Sequence, residues 1–229
     1  MVHTAAAARA RFAHGRTTPR PDPRGTRVAL LLACSLAAAC SVNTYTGAAR
    51  ELTPQTFRKE AGWLAVDNVP LLRQHDEYDC GRTALAMVLS YWYPAVPAAR
   101  FAATQSAERA SAGELRDRAR SHGLAAFVVE GTLNDIAFEL KHKRPVIVGT
   151  AKPTFRGTVA HYEVVVGLHV QSRRIATLDP GLGLRQNSLN DFLHEWIPTG
   201  RVLLVVLPRG QPALAHAGSV RAPYLPFRK

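Results

Sequence analysis

An α+β fold is predicted for the centre of this 229-residue chain from three observations. Segments with a helical hydrophobic period crowd into residues 81–143. Residues 145–208 are dominated instead by β-rich runs. Apolar residues make up 47% of the chain and charged residues 20%, a balance that supports a packed core and excludes disorder throughout. Helices first and extended runs afterwards is the order of a domain whose amino-terminal helices pack on an antiparallel β-sheet.

The elements follow one another with recognisable punctuation. Residues 66–72 read as a short strand with Pro70 at its edge. Residues 81–93 read as a helix that places Ala84, Leu85, Val88 and Leu89 on one face, and Pro94 stops it. A second amphipathic helix spans 111–122 and ends at Gly123, the usual C-cap residue. A strand over 124–129 and a helix over 133–143 come next, with basic residues in the last turn as the helix dipole favours. The β-rich runs are 145–150, 161–171, 174–178 and 201–208, and Asp179-Pro180-Gly181 has the chemistry of a tight turn. A short helix is expected over 189–196, and no internal repeat is present.

The amino-terminal part reads as an export signal. Residues 28–39 are apolar or small and follow a basic, proline-rich stretch ending at Arg24 and Arg27. Twelve such residues fall short of the roughly 20 that a helix needs to cross a bilayer. A charged start, a short apolar run and small residues before a cleavage point describe a signal peptide. Leu36-Ala37-Ala38-Ala39-Cys40-Ser41 resembles the lipobox of bacterial lipoproteins, in which the cysteine is acylated and becomes the first residue. Cys34, after Leu31-Leu32-Ala33, is a second candidate, and an ordinary cleaved signal peptide is the plain alternative. The expected organisation is a lipoprotein-type signal peptide over 1–39, a tether over 40–62, a domain over 63–208 and an irregular tail over 209–229. The expected location is the bacterial cell envelope, with a lipid anchor at Cys40 on the periplasmic side of the outer membrane. By the same resemblance, Ser41 carries no inner-membrane retention signal.

The net charge of +12 suggests a nucleic-acid partner at first sight. Six arginines and one acid, Asp22, lie in the first 39 residues, and beyond them 23 basic residues face 16 acidic ones. The remaining basic residues are scattered rather than gathered with aromatics into a stripe, so no nucleic-acid partner is expected. No Gly-x-x-x-x-Gly-Lys-Ser/Thr run is present, so no ATP-binding domain is expected. Three cysteines occur; with Cys34 removed and Cys40 acylated, Cys80 is left as a lone thiol with no intramolecular disulfide partner. Metal-ligand spacings of the His-x-x-x-His or Cys-x-x-Cys kind are missing too, so no metal site is expected.

Cys80 stands where the first helix should begin. Unpaired amides and the positive end of the helix dipole stabilise a thiolate there. Gly81 removes bulk beside the sulfur, whereas the adjacent Asp79 opposes a second negative charge, so a cationic partner is required. A cysteine at a helix start can equally be a small buried hydrophobe.

Gln74-x5-Cys80-Gly81, preceded by Val69-Pro70-Leu71 and followed by Ala84-Leu85-Ala86-Met87-Val88-Leu89, resembles the nucleophile region of the double-glycine (bacteriocin-processing) leader peptidases, which are papain-like cysteine peptidases. Arg144-Pro145-Val146-Ile147-Val148 resembles their buried strand, and His161-Tyr162-Glu163-Val164-Val165-Val166-Gly167 the strand bearing the catalytic histidine. Asp179-Pro180 resembles the turn carrying the third catalytic member. The resemblance runs over residues 66–208 and implies the papain-like fold and thiol-dependent peptide-bond hydrolysis, without metal or organic cofactor. It assigns Cys80 as nucleophile, His161 as general base, Asp179 as the residue orienting the imidazole, and Gln74 as oxyanion donor. Glu163 shares a strand face with His161 and is the alternative partner, with Asp179 then only a turn former. His75 is expected in the oxyanion loop, and Tyr91 and Trp92 as packing residues.

The chain also departs from that family. It has no transmembrane bundle, it carries an export signal, and Arg82 stands where proline or leucine is usual. The expected partner is therefore a peptide or protein substrate other than a leader awaiting export. A cell-wall endopeptidase is one alternative, although 81 positions from Cys80 to His161 is long for such enzymes. A non-catalytic peptide-binding module on the same fold is another, and acyl transfer through the same thioester a third.

Overall fold

Among the described residues, four of the five α-helices start where a side chain takes up amides that a helix end leaves unpaired, and the one that begins at Cys80 does not. The computed structural model describes residues 47–101, 108–155 and 157–211. Helix α1 (Pro54–Lys59) begins with proline at its first position and Thr53 accepting from the Thr56 N–H. Helix α2 (Cys80–Trp92) is buried over ten of its residues. Helix α3 (Ala112–Ser121) opens with a reciprocal cap between Ser111 and Glu114, and α4 (Leu133–Lys141) with the same device between Thr132 and Asp135. Ser188 caps α5 (Leu189–Trp196) by accepting from the Asp191 N–H.

The strands are β1 (Arg50–Glu51), β2 (Trp63–Ala65), β3 (Ala125–Glu130), β4 (Val146–Thr154), β5 (Gly157–His169), β6 (Arg174–Asp179), β7 (Gly183–Ser188) and β8 (Val202–Leu207). They form one antiparallel sheet in the order β1-β7-β6-β5-β4-β8-β3, with β2 also paired to β5. Thirteen residues long, β5 outreaches its neighbours. Strand β4 pairs with it from Gly157 to Val165, and β2 takes over that edge from Gly167 to His169. On the other edge β6 covers only Val164 to His169, so the first half of β5 extends past the end of β6.

Alternating side chains of these strands feed two cores. Ile147, Val164, Leu204 and Val206 pack beneath α2 and α3. Val146, Val148, Val165, Leu203 and Val205 face the other way, against Ile136 and Leu140 of α4 and Phe192 and Trp196 of α5. The α+β architecture with amino-terminal helices on the sheet is as expected. Helices α4 and α5 add a third layer, which the nearly unbroken apolar run of β8 requires, since a strand buried on both faces has no polar side.

Three local features differ from the sequence reading. The strand expected at 66–72 pairs earlier, over Trp63–Ala65. Asn68 adopts φ +62° and Pro70 has no N–H, so the ladder cannot run on through them. The expected tether is part of the fold from Arg50 onwards: β1 pairs with β7, and Leu52 and Phe57 are buried. Two isolated apolar residues carry no period, which hid this segment. Strand β7, polar along much of its length, escaped notice for the same reason. The leader, Cys34, Cys40 and residues 212–229 of the expected tail lie outside the described residues.

Leu52→Ala is expected to lower the unfolding free energy by about 2–4 kcal/mol, measured by urea unfolding. A change within about 0.5 kcal/mol, usual for exposed positions, would assign Leu52 to a tether after all.

Candidate active site

Cys80 is the first residue of α2 and is only 1% exposed. The helix comes unusually close to β5 because Gly81 has no side chain. A Cβ there would lie 2.9 Å from Tyr162 Cδ2 and 3.1 Å from Leu115 Cδ1. The bulk that Gly81 leaves out beside the sulfur is filled by Tyr162 and Leu115. The glycine therefore sets how near the thiol comes to the strand.

His161 lies on β5, before the stretch that β6 covers, so the start of α2 can reach it past the end of β6. Its imidazole shares a hydrogen bond with the Cys80 sulfur. His161 Nε2 lies 3.1 Å from Asp179 Oδ1, which leaves Nδ1 to face the sulfur. Asp179 ends β6, and its Oδ1 also accepts from the main-chain N–H groups of Gly181 (2.7 Å) and Leu182 (3.0 Å). The two readings of Asp179, turn former and imidazole partner, thus hold together in one carboxylate.

Glu163 is engaged elsewhere. It is ion-paired with Lys152 and accepts from Thr177 Oγ1 (2.5 Å) and Thr150 Oγ1 (3.4 Å). Lys152 also meets Glu195 at 2.6 Å, and all three charged groups are buried. Coordinating atoms of His161, Glu163 and Asp179 lie within 4.8 Å of one another, a separation that could hold a metal ion. The Lys152 ammonium against Glu163 already supplies the positive charge such a cluster calls for.

Electrostatics favour an ion pair. Burial alone pushes the Cys80 thiol up, but the hydrogen bond and charge of His161, the Tyr162 main-chain N–H and the Arg109 charge outweigh it and hold the thiol below its ordinary value. Burial works to lower His161, yet hydrogen bonds and charge from Asp179 and Cys80 lift it to about 10. Asp79, buried beside the nucleophile, is raised by burial first and by Asp76 second.

Gln74 sits in the loop leading to Cys80. Its Nε2 donates to the Asp76 carbonyl at 2.8 Å, and its main-chain N–H donates to the Pro180 carbonyl at 3.1 Å. Arg73 Nη1 donates to Gly181 O at 2.8 Å, so this loop is stitched to the turn that holds Asp179. His75, expected in the same loop, is exposed there. Tyr91 and Trp92 pack against each other, and Trp92 Nε1 donates to Val206 O, as expected of packing residues. Sequence reasoning missed Arg109, whose Nη1 lies 4.0 Å from Cys80 Sγ. It stands outside any periodic segment, and nothing in its flanking residues marks it.

A buried thiol at a helix start, bonded to an imidazole that is itself bonded to a carboxylate, belongs to the class of cysteine peptidases. Residues 68–209 match the Peptidase C39 family, well over half of the chain, and the protein belongs to that family of cysteine peptidases. Among solved structures, the chain is similar to a double glycine motif protease from an AMS/PCAT transporter in complex with the leader peptide. That match has 23% identity over 63% of this chain and 94% of that one, with a TM-score of 0.48. It is also similar to the peptidase domain of Streptococcus ComA, a bi-functional ABC transporter involved in quorum sensing, at 22% identity over 62% and 100% with a TM-score of 0.48. A C39-like peptidase from Bacillus anthracis matches at 18% identity over 65% and 99%, with a TM-score of 0.49. Comparison with curated proteins gives no match.

Gly81→Ala is expected to cost about 1–3 kcal/mol of stability by overpacking and to slow alkylation of Cys80, because Tyr162 moves with the strand that carries His161. Thermal unfolding alongside iodoacetamide labelling reads both effects. Unchanged labelling would mean that the approach of α2 to β5 does not set the pair.

Proposed function

We propose that this protein hydrolyses peptide bonds in the bacterial cell envelope, through a thioester on Cys80. The observation that carries the reading is the hydrogen-bonded series Cys80–His161–Asp179, with the thiol lowered and the imidazole raised. The thiolate attacks the scissile carbonyl carbon. The imidazolium then gives its proton to the departing amine, which leaves as the C–N bond breaks. His161 next removes a proton from water; the hydroxide adds to the thioester and the C–S bond breaks, releasing the acid and the thiol. Asp179 keeps the imidazole in orientation and balances its charge. One hydrogen of the Gln74 amide is held by the Asp76 carbonyl. We assign the other to the oxyanion, together with the Cys80 main-chain N–H at the helix start.

A peptide or protein is the proposed substrate. The export signal over 1–39 and acylation of Cys40 are the proposed route to the envelope and the proposed membrane anchor, on the strength of the sequence.

The pH dependence follows from the two shifts. Hydrolysis turns on as pH rises through the lowered Cys80 value, which creates the thiolate, and declines as pH rises through about 10, where His161 loses the proton that the leaving amine needs. The wild-type full chain is expected to be alkylated by iodoacetamide at pH 6, and His161→Ala to label at least about tenfold more slowly there. Labelling only above about pH 8, near the free thiol value, and indifferent to His161→Ala, would remove both residues from catalysis.

Asp179→Asn separates the two duties of that residue. Its amide oxygen still accepts from Gly181 and Leu182, so folding is expected to survive. Peptide hydrolysis should fall by about 100- to 10,000-fold, since an amide cannot balance an imidazolium. An Asn variant as active as wild type would leave Asp179 with the turn alone.

A further inference from the structure

Arg109 lies in the stretch between α2 and α3 and reaches both halves of the site. Its Nη1 donates to the Glu77 carbonyl at 2.5 Å and to the Ala160 carbonyl at 3.2 Å, and meets Cys80 Sγ at 4.0 Å. Its Nη2 lies 3.6 Å from Glu77 Oε2, and its guanidinium stacks 5.2 Å from the centre of the Tyr78 ring. Glu77 is three residues before the nucleophile and Ala160 one residue before the base. One planar group thus joins the segment that delivers Cys80 to the strand that delivers His161.

We propose that Arg109 is a positioning residue of the nucleophile–base pair, clamping the Glu77 and Ala160 carbonyls while its fixed positive charge lies beside the sulfur. The inference rests on the reading of Cys80 and His161 as nucleophile and base. Nη1 bonds both carbonyls while Nη2 meets the Glu77 carboxylate and the flat face stacks on Tyr78; a lysine, with one nitrogen and no planar face, cannot span the same set. The imidazolium gives up its positive charge whenever it protonates a leaving group, whereas Arg109 stays charged throughout turnover. The sulfur therefore keeps a cationic neighbour when His161 becomes neutral.

Other titratable groups surround the same sulfur. His161 and Tyr162 face it from β5, with Asp179 behind the imidazole at the end of β6. Asp79 and Arg82 flank it at the helix start, Glu114 approaches Tyr162 from α3, and Glu77 pairs with Arg109 in front. Arg109 is thus a second cation beside the sulfur, in addition to His161.

The test is the pH dependence of Cys80 alkylation by iodoacetamide in the full chain, with melting temperature and peptide hydrolysis followed in parallel. Arg109→Met, which keeps the stem and removes the charge, is expected to move the labelling midpoint up by about one pH unit, a roughly tenfold slower reaction at pH 6. Arg109→Lys is expected to hold the midpoint near wild type while hydrolysis stays depressed, because charge returns without the clamp. Arg109→Gln, a milder replacement for use should the methionine variant not fold, is expected to show the same upward move. A lower melting temperature with an unmoved midpoint in the uncharged variants would overturn the proposal and make Arg109 a structural brace only. A midpoint that rises equally in the lysine variant would overturn it as well. If the wild-type thiol itself titrates near 8.5 and ignores His161→Ala, the underlying nucleophile–base reading fails and this inference with it. If His161→Ala moves the midpoint and the uncharged Arg109 variants do not, the Arg109 inference fails alone.

Discussion

The contact between the Cys80 thiol and the His161 imidazole makes two segments 81 positions apart in sequence meet at one point, and much of the molecule serves that meeting. A helix start supplies the amides that favour a thiolate. Gly81 lets that helix close on Tyr162, and the length of β5 beyond β6 leaves His161 uncovered on the side from which the helix arrives. The end of β6 then brings a carboxylate to the far side of the imidazole. Neither thiol nor imidazole has much access to water: they are 1% and 3% exposed. In such surroundings each depends on the other for charge balance, and their titrations belong to the pair.

Beside this pair lies a second buried ionic cluster. Lys152 stands between Glu163 and Glu195, and Thr177 and Thr150 satisfy further carboxylate oxygens. A buried carboxylate left unpaired is strongly destabilising, and an isolated one next to an imidazole would compete to hold it. With its oxygens committed, Glu163 leaves the imidazole to Asp179. The cluster also ties β4 to α5, which joins the sheet to the layer on the face opposite α2.

What the sequence disclosed depended on whether a local rule applied. Helix α2 was legible from its 3.6-residue period and from Pro94, α3 from its amphipathic period and Gly123, and α4 from the basic residues of its last turn. Cys80 was legible because a lone thiol at a helix start is chemically conspicuous; His161 and Asp179 were so through the order of motifs resembling a known family. The choice between Asp179 and Glu163 was not legible. Both carboxylates come near His161, and only the commitments of Lys152, Thr177 and the turn amides distinguish them. Arg109 was invisible because its role arises from bonds to two main-chain carbonyls, which leave no trace in side-chain pattern. The segment from Arg50 to Lys59 was read as tether because its two buried side chains, Leu52 and Phe57, are spaced without a period.

The two-residue strand β1 has an effect that reaches beyond its own hydrogen bonds. It lies at the outer border of the sheet, against β7, and both of its residues are charged and exposed. A border strand so short and so charged is a poor template for another chain, because registering a new ladder needs a longer flat row of free amides and carbonyls. Were the first residues of the folded region removed, β7 would present its full six-residue border to solution, with Leu184 newly uncovered beside it. The short amino-terminal strand thereby acts as a guard against intermolecular sheet growth.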